Sequence, residues 1–184
     1  KIFCMNIEQD NTIRLQRDVE ANMVPSGDKV TLAAGNLVRV TQSLGGNHTI
    51  IINGNMAQIS AENADALGFE IEKSDIDEST NQFSEQLVWD QLKTCYDPEI
   101  PVNIVELGLI YDLSIEQGDN GNNVSIKMTL TAPGCGMGPV IAEEVDRKVN
   151  ALQDVESVNV ELVWEPQWNQ GMMSEAAQLE LGMF

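Results

Sequence analysis

The stretch TAPGCGMGP, residues 131–139, sets a single cysteine between Gly134 and Gly136 and ahead of Pro139. Flanking glycines leave a sulfur sterically open, and proline is well suited to the first turn of a helix, so the pattern predicts a thiol, Cys135, just before a helix N-terminus. Unpaired backbone N–H groups and the positive end of the helix dipole favour thiolate there, and can lower a cysteine pKa by one or more units from about 8.5. The competing description of the same residues is a buried small side chain in a strand-to-helix turn. The two glycines and the helix start tip the balance towards a reactive sulfur.

Several chemistries fail on the partners they require. A cysteine hydrolase needs a base, and the one histidine, His48, falls on an apparent strand in a different region. Structural zinc and complete iron-sulfur sites take about four ligands, so a metal held at Cys135 must be shared with a second chain or a client. Asp97 and Glu99 in DPEIPVN read locally as turn carboxylates accepting backbone N–H bonds. Functionally, they would sit near Cys135 and order the loop or lend an oxygen to a metal; a neighbouring carboxylate raises a thiol pKa, so they would not activate the sulfur. Thr131, expected at a strand end, can hydrogen-bond the sulfur and is equally an ordinary strand residue. Trp89, Trp164 and Trp168 read as core or tail packing, because WEPQW has no basic neighbours with which to stack bases. No GxxxxGK[ST] occurs, and SLGG and PGCGMG lack its lysine and spacing, so no nucleotide chemistry is expected.

The elements that must position these residues follow from local pattern. Between residues 12 and 68, glycines punctuate short β-rich runs such as LVRVTQ and HTIIIN, and NGN at 53–55 predicts a type I′ hairpin. AENADALG predicts a short helix ending at Gly68. The polar EIEKSDIDESTNQ, residues 70–82, predicts a linker. Phe83, Leu87, Val88, Leu92 and Cys95 fall at helical spacing, with Pro98 expected to stop that helix. LGLIYDLSIE and NVSIKMTLTA alternate as a hairpin, with Pro133 and Gly134 expected to end its second strand. Val140 or Ile141, Val145, Val149 and Leu152 predict a second helix of about three turns, VESVNVELVW a third strand, and the tail a last short helix beginning near Ser174. The fold class expected is α+β: a small N-terminal β domain (1–69), a linker (70–82), a compact α/β domain with two main helices on a three- or four-stranded sheet (83–164), and a Trp-containing tail with a short C-terminal helix (165–184).

Composition narrows the function classes. The chain has 184 residues, enough for one ordinary domain or two small ones, and its 42% apolar content can form a core. Ten Lys and Arg against 29 Asp and Glu give a net charge of −19, which repels phosphate backbones and anionic membranes, so neither nucleic acid nor membrane is an expected partner. The acidic residues are dispersed and read as a solvated surface. Three separated cysteines without a CxxC pair argue against a disulfide framework and for a reducing cytoplasm. Cys4 precedes Met5, a candidate start residue, and is assigned no role. The opening KIFCMNIEQD is too short in its apolar part for a signal peptide, and no run approaches the length of a membrane span.

Taken together, DPEIPVNIVELGLIYD and MTLTAPGCGMGPVIAEEV resemble the PaaD-like, metal-sulfur cluster biosynthesis domain over residues 83–164. The segment VPSGDKVTLAAGNLVRVTQSLGG, with NGN, ADALG and the tail motifs WEPQW and MMSEAAQLELG, is similar to SufT-type proteins. This resemblance implies a non-enzymatic auxiliary factor in iron-sulfur protein maturation, working in the cytoplasm beside scaffold, carrier and client proteins. It implies Cys135 as the functional thiol and candidate metal or cluster ligand, Asp97, Glu99 and Thr131 as loop-ordering or auxiliary groups, transient iron or an iron-sulfur cluster as cargo, and a homodimer, frequent in the wider family. Two positions depart from the pattern: Ala132 replaces a second Thr common in the wider family, making a hydrolase-like site less credible, and Gln167 replaces a Pro often found in SufT-type tails. The competing function is an interaction adaptor in which Cys135 is structural.

Overall fold

The computed structural model describes residues 11–71 and 83–183. The expected linker therefore lies almost entirely outside the described residues, as does Cys4.

Six short strands, β1 (Thr12–Arg14), β2 (Val19–Val24), β3 (Lys29–Leu32), β4 (Leu37–Leu44), β5 (Asn47–Ile52) and β6 (Asn55–Ile59), form one antiparallel sheet in the order β1-β4-β5-β6-β2-β3. Alternation along β4 buries Val38 and Val40 and leaves Leu37 and Arg39 in water, the period-two signature of a sheet with one packed face. The β5–β6 hairpin turns on Asn53 (φ 49°) and Gly54 (φ 80°), as expected for a type I′ turn, whose two central residues both need positive φ. The run Ala61–Leu67 is a 3₁₀ helix rather than an α-helix, and Gly68 in the left-handed region closes it. Leu15, Val38, Ile50, Ala57, Ile59 and Leu67 belong to the core of this sheet.

The second unit has a separate core, to which Val24 of β2 contributes, built on β7 (Ile110–Gln117), β8 (Asn122–Met128) and β9 (Val155–Leu162) in that order. β7 and β8 form the expected hairpin, while β8 and β9 are parallel and joined through α2 (Gly138–Asn150). A parallel pair cannot be closed by a tight turn, so this crossover helix is a topological requirement. Ile141, Val145 and Val149 recur at every fourth position of α2 and are at most 1% exposed, so one stripe of the helix is buried in the core against β9. α1 (Glu85–Leu92), capped by the Ser84 hydroxyl accepting from the Leu87 N–H, packs on α2. The α+β architecture is as expected, with three strands in the second sheet.

Two boundaries differ from expectation. α1 ends at Leu92, where the Thr94 hydroxyl captures the Gln91 carbonyl at 2.7 Å, so Pro98 is not its terminator and Cys95 lies beyond the helix. β8 ends at Met128: the Thr129 N–H still reaches the Leu109 carbonyl at 2.8 Å, but residues 131–134 turn away as bends. Thr131 is therefore three residues past the strand, not at its end.

The tail is packed on the second unit. Trp168 Nε1 donates to the Leu107 carbonyl at 2.8 Å, the Tyr111 hydroxyl donates to the Pro166 carbonyl at 2.7 Å, and Ser174 caps the short α3 (Glu175–Glu180). Trp89 and Trp168 pack against the core as expected, whereas Trp164 is 43% exposed.

Candidate functional site

The loop between β8 and α2 delivers Cys135 to the start of the helix. Gly134 takes φ +78° with open space around it, a backbone conformation that side-chained residues rarely adopt. The Cys135 N–H donates to the Ala132 carbonyl at 3.3 Å, and the Cys135 carbonyl accepts from Gly138 at 3.1 Å, so the cysteine sits in the tight turn that feeds α2. Pro139 occupies the first turn of the helix, Met137 at its N-cap supplies no side-chain acceptor, and the first turn carries no acidic residue. The positive end of α2 is thus left without an internal anion. Cys135 is half-buried and rests on the margin of the core.

Cys95, the other described cysteine, is the opposite case. It is fully buried, its thiol donates to the Gln91 carbonyl at 3.8 Å, and burial pushes its pKa up to about 12, with the charge of Glu144 adding to the shift and Lys148 and Arg147 opposing it. It is a packing residue.

The acidic turn is asymmetric. Asp97 is buried and its Oδ1 accepts the Glu99 N–H at 2.9 Å, the Asx-type bond that shapes the turn, while the Glu99 side chain is exposed. Burial raises the Asp97 pKa and the charge of Glu99 adds to it; the N–H groups of Glu99 and Ile100 offset part of the effect. Thr131 is half-buried in its bend. Among the described residues, no side-chain hydrogen bond joins Cys135 to Asp97, Glu99 or Thr131, and no group of three or more His, Cys, Asp or Glu is placed to hold a metal ion. His48 lies on β5, with Nδ1 2.8 Å from the Ser43 hydroxyl and its ring 4.8 Å from that of Phe69.

Both site segments touch the N-terminal sheet, which sequence patterns did not reveal. A Cβ on Gly136 would collide with the Ser26 carbonyl, and a Cβ on Gly27 would collide with the Gly136 carbonyl, so the cysteine loop and the β2–β3 turn meet backbone to backbone. At the other segment the Thr49 hydroxyl donates to the Pro98 carbonyl at 3.4 Å. Further along α2, Lys148 Nζ donates to the carbonyls of Thr94 (2.7 Å) and Gly45 (3.0 Å) and pairs with the buried Glu144 Oε1 at 2.8 Å, close enough for an ion pair although not aligned as a hydrogen bond. A lysine near the end of an amphipathic helix carries no sequence mark separating this role from that of a solvated surface charge.

The family model described as iron-sulfur cluster assembly protein matches residues 85–162, a span that includes both the acidic turn and the cysteine loop. An Fe-S protein maturation auxiliary factor of Porphyromonas gingivalis is 47% identical over 104 residues, covering 55% of this chain and 96% of the relative. The Fe-S protein maturation auxiliary factor SufT of Staphylococcus aureus is 37% identical over 87 residues, 47% of this chain and 96% of its own length. A crystal structure of a domain of unknown function, DUF59, from Bacillus anthracis is 35% identical with a TM-score of 0.49, covering 54% of this chain and 92% of that one. The N-terminal sheet lies outside the span of the family model. Matched across almost the full length of these relatives, this chain belongs to the SufT-type family of Fe-S protein maturation auxiliary factors.

Proposed function

We propose that this chain is a non-enzymatic auxiliary factor in iron-sulfur protein maturation, acting in the cytoplasm and using the Cys135 sulfur to hold iron or a cluster transiently while a scaffold, carrier or client protein, or a second copy of the chain, supplies the remaining ligands. The observation that carries the reading is the contrast between the two described cysteines: Cys95 is sealed in the core, and Cys135 is partly exposed at the unacidified start of α2. Iron and its clusters take about four ligands, and one thiol offers one, so cargo bound here is shared and hence transferable. Asp97 orders the acidic turn through its bond to Glu99, and the exposed Glu99 and half-buried Thr131 are the groups free to lend an oxygen. The chain's charge of −19 directs it towards protein partners with basic surfaces rather than nucleic acid. No helix among the described residues is long and apolar enough to cross a membrane.

Replacing Cys135 by Ser tests the reading. The variant should fold like the parent, lose the iron-dependent absorption gained on anaerobic reconstitution with a scaffold protein, and lower iron-sulfur enzyme activity in iron-limited cells. Undiminished enzyme activity and unchanged spectra would rule it out. The packing of Cys135 on the core margin favours a second reading, an adaptor in which the sulfur is structural; in that case Cys135→Ser lowers stability and leaves reconstitution unaltered.

A further inference from the structure

We infer that the N-terminal sheet is a clamp that positions the cysteine loop and the acidic turn relative to one another, with Gly27 and Gly136 as its positioning residues. The two segments share no side-chain hydrogen bond, yet each is held by the same sheet: the loop by the β2–β3 turn, the acidic turn by Thr49 on β5. The glycine contact is reciprocal, since a Cβ on either residue would strike the backbone of the other segment. Backbone carbonyls cannot swing aside as a flexible side chain can.

Hydrophobic burial sets this register only in part: Val24 of β2 and Met56 of β6 reach the core of the second unit. Between the sheet and α2 lies a polar cavity of about 250 Å³, lined among others by Glu20, Asn47, Gln58, Glu144 and Arg147. Alongside that apolar contact, the interface is held at both ends of α2. One end is the Gly27/Gly136 contact at the start of α2, and the other is Lys148, which ties α2 to Gly45 at the β4–β5 turn and to Thr94 just before the acidic turn. Roughly 15 Å of helix separates residue 138 from residue 148, so the two ends fix the tilt of α2, and with it the place of Cys135. The sheet lies outside the 85–162 span of the family model, so in this chain the clamp is added to the family's core. Its functional weight rests on the reading of Cys135 given above; the clamp itself is testable without it.

The test is iodoacetamide labelling of the full chain with peptide mapping, so that Cys135 and Cys95 are timed separately. Gly136 has no positive φ, so Gly136→Ala perturbs the contact without backbone strain. Gly27→Ala perturbs it from the other side. Gly35→Ala is the control, because Gly35 has φ +85° but nothing within 4 Å of its added Cβ. Both contact variants should label Cys135 about tenfold faster or more, with Cys95 still protected, and the control should leave the ratio of the two rates unchanged. Cys135 rates within twofold of the parent, an equal effect from Gly35→Ala, or a parallel rise at Cys95 would each overturn the proposal. Hydrogen exchange on the unmodified chain gives a check that needs no variant: the Gly27 amide, bonded to Met23, and the Gly138 amide, bonded to Cys135, should open together. Opening of the loop amide while the turn amide stays closed would also overturn it. None of these readouts depends on iron, so a failed clamp and a failed role for Cys135 are told apart.

Discussion

Lys148→Met should be among the most damaging single changes outside the apolar core. The lysine side chain is 12% exposed and its partner Glu144 only 7%, so the pair sits in a region where a lone charge is poorly solvated. Methionine keeps most of the length of the side chain but removes three interactions at once, leaving the Thr94 and Gly45 carbonyls without their donor and Glu144 without a counter-charge. Removing one partner of a buried pair costs about 3–5 kcal/mol, most of it the penalty of the stranded charge. Each hydrogen bond from a charged donor contributes about 1.5–3 kcal/mol, but these gains overlap with the pair and do not simply add. A loss of about 3–5 kcal/mol is therefore expected, or about 6–20 °C in Tm for a chain of this size. By contrast the Arg147–Glu62 pair, at 3.3 Å with side chains 43% and 63% exposed, should contribute no more than about 1 kcal/mol. Urea unfolding followed by tryptophan fluorescence measures both. The double variant Glu144→Gln with Lys148→Met removes the stranded charge and should recover at least about 1.5 kcal/mol. A loss below about 1 kcal/mol for Lys148→Met, or no recovery in the double variant, would refute the argument that a buried charge is what Lys148 neutralises.

Three further outcomes follow. In native protein at neutral pH, iodoacetamide should modify Cys135 and spare Cys95, whose thiol burial has pushed up to about 12, until denaturant is added; mass spectrometry of the peptides reads both. Asp97 has a folded-state pKa raised above its unfolded value of about 3.9, so the native state holds its proton more tightly, and the contribution to stability is greatest below that value and is lost as pH rises through the folded pKa. Asp97→Asn can keep the acceptor for the Glu99 N–H, so it should flatten the decline in stability above about pH 4 and leave neutral-pH stability equal or higher, by denaturant titration across pH; a loss above about 1 kcal/mol at pH 7 would contradict this. Cys135→Ser should retain the parent's unfolding midpoint while losing the iron-dependent spectrum, and a changed midpoint with an unchanged spectrum would favour the structural role of the sulfur.

Legibility in sequence tracked the range of the interactions involved. The NGN hairpin, the β7–β8 hairpin, the α2 stripe of Ile141, Val145 and Val149, and the Ser174 cap all depend on residues close along the chain, and each was readable from spacing alone. The thiol loop was readable for the same reason, since glycine, cysteine and proline act on their own turn. The errors had both distant and local causes. β8 was expected to run on to Pro133, but neighbouring strands stop pairing with it near Met128; α1 was expected to run to Pro98, but the Thr94 hydroxyl closes it first. Trp164 was expected to pack and is instead exposed beyond β9.

Composition and local pattern were thus sufficient for the α+β class, the order of elements, the acidic net charge, and a cysteine placed ahead of a helix, because propensity, periodicity and net charge are properties of neighbours or of sums. Which cysteine is sealed, why Lys148 is half-buried, and how the N-terminal sheet holds Gly136 and Pro98 became visible only in the folded chain. Those features depend on desolvation and on backbone approach between residues roughly 50 to 110 positions apart, for which a linear string carries no local signal.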